Sequence, residues 1–346
     1  MALHWFRGRT VRGRVFAEMC TEHKTMNASL SRLERQESLR NRLLGELRRR
    51  RLVSARGWSH CGTQYGTEPT ALALLALNSA SSISSVTKGD LTPLLARRRS
   101  NGTWPAAEEV GGNIWATAVA ANTVLHLDAN QAALARSLDS LVQSRPLEAS
   151  WFVRLRFRFS DRQVRFDPTK YGWPWVPDTV SWVVPTAMVL ITLERARRRG
   201  LAAGSEVATR LRLGTEMLFD RACAGGGWNA GNAFVYGVPL RPHIDATAIV
   251  LAALRPHYQQ PIVRNSLAWL LGSVQCPSAH SLAWLILAVS TYRDVRSDIT
   301  PALAAARDRL SALVDDPRGI QDTSTIALAA LALGVGPTDN PFEVNG

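Results

Sequence analysis

The sequence predicts an all-α protein in which helical hairpins repeat along the chain and form an inner and an outer ring of helices. Four segments share a loop rich in Trp and Gly, followed by a helix that starts with Thr-Ala and is apolar nearly all round. The segments between them are amphipathic, with Leu and Ala recurring at i, i+3 and i+4. An entirely apolar helix must be buried, whereas an amphipathic one is half exposed, so the two kinds define the two rings.

The repeat is anchored by one threonine in each copy. Thr70, Thr117, Thr186 and Thr247 lie 47, 69 and 61 residues apart, which leaves room for a second helix in each interval. We expect them to begin inner helices whose N-termini converge at one end of a barrel. The copies span 57–77, 102–127, 172–193 and 226–254, with weaker copies at 275–289 and 318–333, and outer helices are predicted at 129–143, 205–219 and 299–313.

One region departs from the helical pattern. From Val153 to Phe159, apolar residues alternate with arginines, which is the two-residue period of a strand. With a turn at Ser160-Asp161 and a return through Val164 to Phe166, this predicts a β-hairpin insertion over 151–166. Its arginines are interpreted as a solvated face, with a diphosphate clamp as the alternative.

Composition indicates a folded chain without a membrane span. Of 346 residues, 46% are hydrophobic and 20% charged, enough to bury a large core and to exclude global disorder. No apolar run approaches the 18 or more residues that cross a bilayer. The N-terminus has arginines but no apolar signal-peptide core, so we predict a cytoplasmic protein. We expect a flexible basic segment over 1–27 and a single domain over 28–340.

Positive charge is concentrated near the N-terminus. The net charge is +13, almost all of the basic residues are arginine, and residues 1–52 alone carry +8. We interpret this segment chiefly as a solvated arm that ends in a basic helix terminus. Clustered cations also attract polyanions of any sequence, so peripheral contact with an anionic membrane is the alternative, and no specific nucleic acid is expected.

Two loops carry a family resemblance. Gly226-Gly227-Trp228-Asn229 and Gly172-Trp173-Pro174-Trp175, each followed by a Thr-Ala helix, resemble repeats of the α/α-toroid superfamily. That superfamily contains squalene-hopene cyclases, other class II terpene cyclases and the β subunits of protein prenyltransferases. The resemblance covers about residues 28–340. It implies an α/α toroid, a double ring of helical hairpins, with a hydrophobic cavity where the loops before the inner helices meet.

The resemblance implies a catalytic acid at Asp245. Class II terpene cyclases protonate their substrate with the middle Asp of a DxDD-T-A sequence, and the matching stretch here is His243-Ile244-Asp245-Ala246-Thr247-Ala248. Asp245 is kept, with His243 or His280 as its orienting partner. One carboxylate remains where those enzymes have three, although alkene protonation depends on neighbouring groups that set the acidity of the donor.

The prenyltransferase branch would imply zinc. Its ligands are an Asp-x-Cys at the same helix start and a later His, which here match Asp245 and His280, but Thr247 replaces the cysteine. A neutral hydroxyl is a poor zinc ligand, and Cys276 is the conceivable substitute. We therefore expect no metal and no cofactor, and favour terpene-cyclase-like chemistry over zinc chemistry if the protein is an enzyme.

Asp245 and the repeat tryptophans can also be explained by structural roles alone. Asp245 is interpreted as the N-cap of its helix, a common role for Asp, and Glu68 holds the equivalent place in the first copy. The tryptophans are interpreted mainly as repeat packing, while those near the inner helices are candidates to line a ligand cavity, because their faces suit polyenes and cations. These candidates are Trp115, Trp182, Trp228 and Trp284.

Two functions from different classes follow. The first is a toroid with an apolar cavity that binds an isoprenoid or other lipid, with or without cyclase-like chemistry. The second is a non-catalytic toroid that serves as a scaffold for a protein partner, with the cavity filled by its own side chains. The carboxylates missing around Asp245 weigh against the usual chemistry of the superfamily.

Overall fold

A computed structural model describes residues 30–52, 57–79, 88–108, 111–127, 131–160, 165–315, 320–336 and 339–344. The predicted N-terminal segment 1–27 lies outside these residues. No helix in the described ranges is long and apolar enough to cross a membrane.

Helices dominate the described chain. In chain order they are α1 (30–49), α2 (Thr67–Asn78), α3 (Lys88–Ala96), α4 (Ile114–His126), α5 (Gln131–Gln143), α6 (Trp151–Ser160), α7 (Val183–Arg198), α8 (Ser205–Asp220), α9 (Ile244–Ala253), α10 (Pro261–Leu271), α11 (Ala279–Ser290), α12 (Ile299–Asp315) and α13 (Thr323–Gly334). Two short antiparallel ribbons accompany them, β1 (Trp104–Pro105) with β2 (Gly112–Asn113), and β3 (Phe234–Val235) with β4 (Val238–Pro239).

The helices form a closed double ring. In the inner ring α2, α4, α7, α9, α11 and α13 pack in that order, and α13 packs back on α2. Outside them, α3 packs on α2, α5 on α4, α8 on α7, α10 on α9, and α12 on α11 and α13. The predicted α/α toroid is therefore confirmed, including the outer helices expected at 129–143, 205–219 and 299–313.

The inner helices begin in the same register. Thr70, Thr117, Thr186 and Thr247 each lie four residues after the N-cap of α2, α4, α7 and α9, as the repeat predicts. The weaker copies begin α11 and α13 without this threonine. Their helices start instead with side-chain caps: the Ser278 hydroxyl accepts the Ser281 amide, and the Asp322 carboxylate accepts the Thr325 amide.

Backbone hydrogen bonds bring the helix starts together at one end of the ring. The Thr67 amide of α2 donates to the loop before α4, Ile114 of α4 to the loop before α7, and Val183 of α7 to the loop before α9. Thr323 of α13 donates to the carbonyl of His60, in the loop before α2, and so joins the last inner helix to the first. We call these helix starts and the loops that precede them the N-terminal rim.

A clamp between tryptophan and threonine recurs in all four strong copies. The threonine hydroxyl accepts the backbone N–H of the loop tryptophan at 2.8 to 2.9 Å. The same oxygen lies 3.1 to 3.5 Å from the carbonyl oxygen of that tryptophan, and in the second copy it donates to the Asn113 carbonyl at 2.7 Å. The pairs are Trp58–Thr70, Trp104–Thr117, Trp173–Thr186 and Trp228–Thr247, all buried. In the third copy, a Cβ at Gly172 would overlap the Thr186 hydroxyl, which explains the glycine there.

The same tryptophans tie the inner ring to the outer ring. Each indole Nε1 donates to a carbonyl near the end of the preceding outer helix, at 2.6 to 2.7 Å. The acceptors are Leu47 of α1, Leu94 of α3, Leu141 of α5 and Leu218 of α8. Such a bond satisfies a carbonyl that has no partner within its own helix, so each clamp fixes the two helices of a hairpin to one loop.

The C-terminal segment fills the ring axis at the end opposite the N-terminal rim. Phe342 is fully buried, with its ring centroid 4.7 Å from that of Trp284 on α11. Asn122 of α4 and Arg195 of α7 donate to the Pro341 carbonyl. Because α4 and α11 face each other across the ring, a segment that contacts both lies between them on the axis.

The predicted β-hairpin over 151–166 is wrong. Residues 151–160 form α6, the expected turn lies mainly outside the described residues, and Phe166 belongs to an irregular segment. A strand needs a partner to satisfy its backbone, whereas a helix satisfies its own, and no described strand pairs with this segment. Its apolar residues therefore lie on several sides of α6, and part of them stays exposed.

A hairpin does occur in the loop before α9. Strands β3 and β4 are joined by Tyr236 and Gly237, both with positive φ, at 52° and 80°. This is the backbone of a two-residue hairpin turn, whose twist matches that of the flanking strands. The sequence signal is an aromatic-Gly pair between two apolar pairs.

Replacing Thr186 with Val tests the clamp. The change keeps the shape of the side chain but leaves the buried Trp173 N–H without its acceptor, so unfolding free energy should fall by about 1–3 kcal/mol. Chemical denaturation measures the loss. Thr186→Ser, which keeps the oxygen, should lose less than Thr186→Val. Equal stability of the Val variant and the parent would contradict the role of the clamp.

Candidate functional site

Six side chains occupy equivalent positions around the N-terminal rim, each two residues after the N-cap of its inner helix. They are Glu68, Trp115, Val184, Asp245, His280 and Ser324, on α2, α4, α7, α9, α11 and α13. The side chain at this position is polar on α9, α11, α13 and α2, is Trp115 on α4 and is the apolar Val184 on α7. The repeat thus brings together residues that are far apart in sequence.

Asp245 does not cap its helix. The N-cap of α9 is His243, which makes no side-chain cap, and Asp245 follows in the first helical turn. The interpretation of Asp245 as an N-cap is therefore wrong. A carboxylate in the first turn still interacts favourably with the partial positive charge of the helix N-terminus. Within the described residues, Asp245 makes no side-chain hydrogen bond.

The two histidines proposed as partners of Asp245 have other surroundings. His280 starts the neighbouring helix α11, and its Nδ1 lies 3.4 Å from the hydroxyl oxygen of Thr325 on α13. His243 is exposed and lines a cavity on the outer side of the rim. Among the described side chains, no hydrogen bond joins either histidine to Asp245, so neither histidine orients that carboxylate.

A second titratable cluster closes the ring between α13 and α2. Nδ1 of His60 lies 3.2 Å from Oδ1 of Asp322 and 3.3 Å from the Ser324 hydroxyl. The other Asp322 oxygen accepts the amide and the hydroxyl of Thr325. The sequence pattern did not predict this pairing, because the partners are 262 residues apart. The only signal was the Asp-Thr-Ser-Thr start of α13.

This cluster shifts the pKa of both partners. The hydrogen bond with Asp322, helped by the charge of Glu68, raises the pKa of His60 above its ordinary value although burial opposes this. Burial disfavours the Asp322 carboxylate, but hydrogen bonds from His60 and Thr325 outweigh it and lower the pKa of Asp322 to about 2. The pair is therefore an ion pair at mildly acidic pH.

Two of the predicted ligand-binding tryptophans lie at the rim. Trp115 donates through Nε1 to a Glu68 oxygen at 2.9 Å, and its ring centroid lies 5.7 Å from that of Trp175. Trp182 is the N-cap of α7 and is 36% exposed, with its ring against Gly231. Trp182 also lines the cavity that His243 borders.

The other two predicted tryptophans are covered by the chain itself. Trp228 is fully buried in the clamp with Thr247, with its indole nitrogen bonded to Leu218. Trp284 is 2% exposed and packs against Phe342 on the axis. Repeat packing accounts for Trp228, and contact with the C-terminal segment accounts for Trp284.

The cavity at the rim has a volume of about 520 Å³. It lies between the loops before α7 and α9, with α6 and the β3–β4 hairpin on its outer side. Its walls are mostly apolar and aromatic. Lining residues include Phe157 of α6, Phe166, Val180, Trp182, Val235 and Leu240.

One buried cation borders this cavity. Arg221 is 3% exposed, its guanidinium lies 4.2 Å from the centre of the Phe166 ring, and Nη1 donates to Asn232 Oδ1. Burial lowers the pKa of Arg221 to about 10, although Glu148 and Asp220 act in the opposite direction. The arginine stays charged at neutral pH and, with Arg241, adds positive charge to a wall that is mainly apolar.

The metal ligands implied by the prenyltransferase branch do not come together. No group of three His, Cys, Asp or Glu side chains suited to hold a metal occurs in the described residues. Thr247, in the place of the cysteine ligand, uses its hydroxyl in the clamp with Trp228.

Comparison with known structures identifies the fold. The chain is similar to the apo structure of the type II terpene cyclase MstE from Scytonema, with a TM-score of 0.57 and 15% identity over 87% of this chain and 98% of that one. It is also similar to cellobiose 2-epimerase from Spirochaeta thermophila DSM 6192, with a TM-score of 0.54 and 11% identity over 86% and 96%. Both are α/α toroids, and the present chain has this fold as well. By sequence, no family model and no curated protein matches the chain.

The His60–Asp322 pair predicts a pH-dependent contribution to stability. Because the pKa of His60 is raised on folding, its contribution is complete below the unfolded value near 6.5 and is lost as pH rises through the folded value. The contribution of Asp322 is present above about pH 4 and is lost as pH falls towards 2. His60→Gln should therefore destabilise the protein more at about pH 5.5 than at about pH 8.5.

Denaturant unfolding at the two pH values measures this difference, and His257 supplies the control. Burial lowers the pKa of His257, so the parent protein loses stability through this group as pH falls. His257→Gln should therefore change stability with pH in the opposite direction to His60→Gln. A pH-independent effect of His60→Gln would show that the ion pair does not form.

Proposed function

We propose that this protein binds an isoprenoid or similar apolar lipid in the cavity at its N-terminal rim. The observation that supports this most is the cavity of about 520 Å³, walled by Phe157, Phe166 and Trp182. Ligand sites are typically concave, predominantly apolar and about 300–1,000 Å³, with a few polar groups that fix orientation. This cavity meets that description: its surface is mainly apolar, and its polar groups are Ser181, Arg221, Asn229, Asn232, Arg241 and His243.

The walls favour a hydrocarbon with π-bonds. Aromatic rings lie on several sides, from α6, from the segment at Phe166 and from the N-cap of α7. Ring faces pack well against polyenes and attract positive charge. A sugar or nucleotide would instead require many hydrogen-bonding groups, because each buried polar group of a ligand needs a partner. The fold is shared by the terpene cyclase MstE and by cellobiose 2-epimerase, so the preference for an apolar ligand rests on the cavity walls.

Binding without cyclase chemistry is the form of the proposal that the rim supports. A proton donor strong enough for an alkene must hold its proton through neighbouring groups. At the start of α9, Asp245 makes no side-chain hydrogen bond among the described residues, since His280 is bonded to Thr325 and His243 faces the cavity.

Substitution of Val180 tests the cavity. Val180→Trp places a large ring inside it and should abolish recovery of an apolar ligand with the purified protein, whereas Val176→Trp, in the same loop but exposed, should not. Native mass spectrometry and organic extraction measure the ligand, and geranylgeraniol added to delipidated protein serves as the probe. Melting temperatures confirm that both variants fold.

Failure of the parent protein to bind the probe or any extracted lipid would refute the proposal. The alternative, a non-catalytic scaffold for a protein partner, would then be favoured, since the cavity would have no ligand role. Equal binding by the Val180→Trp and Val176→Trp variants would instead place the ligand outside this cavity.

Asp245→Asn separates binding from acid catalysis. We expect the variant to keep the melting temperature of the parent within about 1 °C, because the Asp245 side chain does not cap the helix and a first-turn charge that solvent still reaches contributes only about 0.3–1 kcal/mol. Ligand binding should also be unchanged. A polyprenyl turnover assay that shows activity in the parent and none in the variant would establish Asp245 as the catalytic acid.

A further inference from the structure

An exposed apolar surface covers the outer side of the cavity. Trp151 and Phe152 of α6 are 70% and 63% exposed, and Tyr236 at the hairpin tip is 73% exposed. Further exposed apolar residues on these two elements are Leu155, Val238 and Leu240. Single exposed apolar residues are ordinary, but six of them on two adjacent short elements indicate an interaction site.

The two elements belong to one surface because the same short segment joins them. The ring centroids of Phe157 on α6 and Phe166 are 5.4 Å apart. Next to it, the Arg165 amide donates to the Phe234 carbonyl of β3, and the Arg165 guanidinium lies 5.3 Å from the Phe234 ring centre. Phe157 and Leu240 both line the cavity, so the exposed surface and the cavity are two sides of the same wall. We call this outer surface the α6–hairpin surface.

The charge of the surface has one sign. The segments 151–160 and 234–241 contain arginines and no acidic residue. Arg154 and Arg156 lie on α6, with Arg165 and Arg241 beside the hairpin. Nearby Asp167 and Asp220 form ion pairs with Lys170 at 3.4 and 3.6 Å. Exposed Trp, Phe and Leu among arginines are the composition of a helix that lies in a membrane interface.

We propose that the α6–hairpin surface docks on an anionic lipid bilayer. With ten residues, α6 is too short to span the hydrocarbon core and long enough to lie in its interface. Trp151, Phe152 and Tyr236 enter the headgroup region, while the arginines contact lipid phosphates. The wall of the cavity then faces the lipid phase, from which an apolar ligand is drawn.

The docking is inferred from the exposed surface alone, and only its link to ligand uptake rests on the proposed function. A protein partner would need an acidic and apolar face of matching shape, whereas an anionic bilayer supplies both properties without a specific shape. The basic N-terminal segment is not suited to cover this surface, because residues 1–29 carry a net positive charge as well.

Vesicle sedimentation of the full-length protein tests the docking. The parent should bind vesicles of equal parts phosphatidylglycerol and phosphatidylcholine and bind pure phosphatidylcholine much more weakly. The triple variant Trp151→Ser, Phe152→Ser, Leu155→Ser should lower partition onto the anionic vesicles about tenfold or more. The variant Arg154→Gln, Arg156→Gln should lower it roughly fivefold for each arginine, with a weaker dependence on salt.

Two control variants assign the effect to this surface. Leu30→Ser with Leu33→Ser removes exposed leucines from α1 and should leave vesicle binding unchanged. Arg9→Gln, Arg12→Gln, Arg14→Gln tests the basic N-terminus, and its binding should stay within about twofold of the parent. Melting temperatures are recorded for every variant, and if the serine variant does not fold, the arginine variant decides.

Several results would overturn the proposal. Absence of binding by the parent, or parental binding by the serine and arginine variants, excludes bilayer docking at this surface and favours a protein partner. Loss of binding in the N-terminal variant alone would assign membrane contact to residues 1–29. The ligand proposal is judged separately, since Val180→Trp should bind vesicles normally and the serine variant should still bind geranylgeraniol in detergent.

Discussion

The bond between a loop tryptophan and an inner-helix threonine is the constraint on which the rest of the structure depends. At each strong copy, one indole links the end of an outer helix, the loop and the start of the next inner helix, as in Trp173 with Leu141 and Thr186. All of these groups are buried, so leaving any of them unpaired would be costly. The repetition of this bond sets a common height for the helix starts, and the N-terminal rim results from it.

The rim offers equivalent positions that the sequence fills differently. On α2 and α13 the positions belong to a network around His60 and Asp322 that closes the ring, and on α4 Trp115 is held by Glu68. Asp245 occupies the corresponding place on α9 without a hydrogen-bonded partner among the described residues. The described polar groups of the rim therefore bond to one another across the ring closure, and none of them positions Asp245 as a proton donor.

The elements that wall the cavity are additions to the ring. Helix α6 and the β3–β4 hairpin interrupt the repeat in two consecutive copies, and together they wall a cavity beside the starts of α7 and α9. At the other end of the ring, Phe342 and Trp284 occupy the axis. The cavity therefore lies at the side of the rim, beside the long loops before α7 and α9.

The sequence by itself determined the repeat, the inner and outer helices and the register of Thr70, Thr117, Thr186 and Thr247, because the clamp joins partners only 12 to 19 residues apart. The sequence pattern wrongly predicted a strand where α6 forms. Alternation of apolar residues with arginines indicates a strand only if another strand is available to pair with it. Tertiary structure alone decided the pairing of His60 with Asp322, the cover over Trp284 and the cavity beside Trp182. Each depends on closing the chain into a ring, and ring closure brings together residues whose distance along the sequence leaves no local pattern.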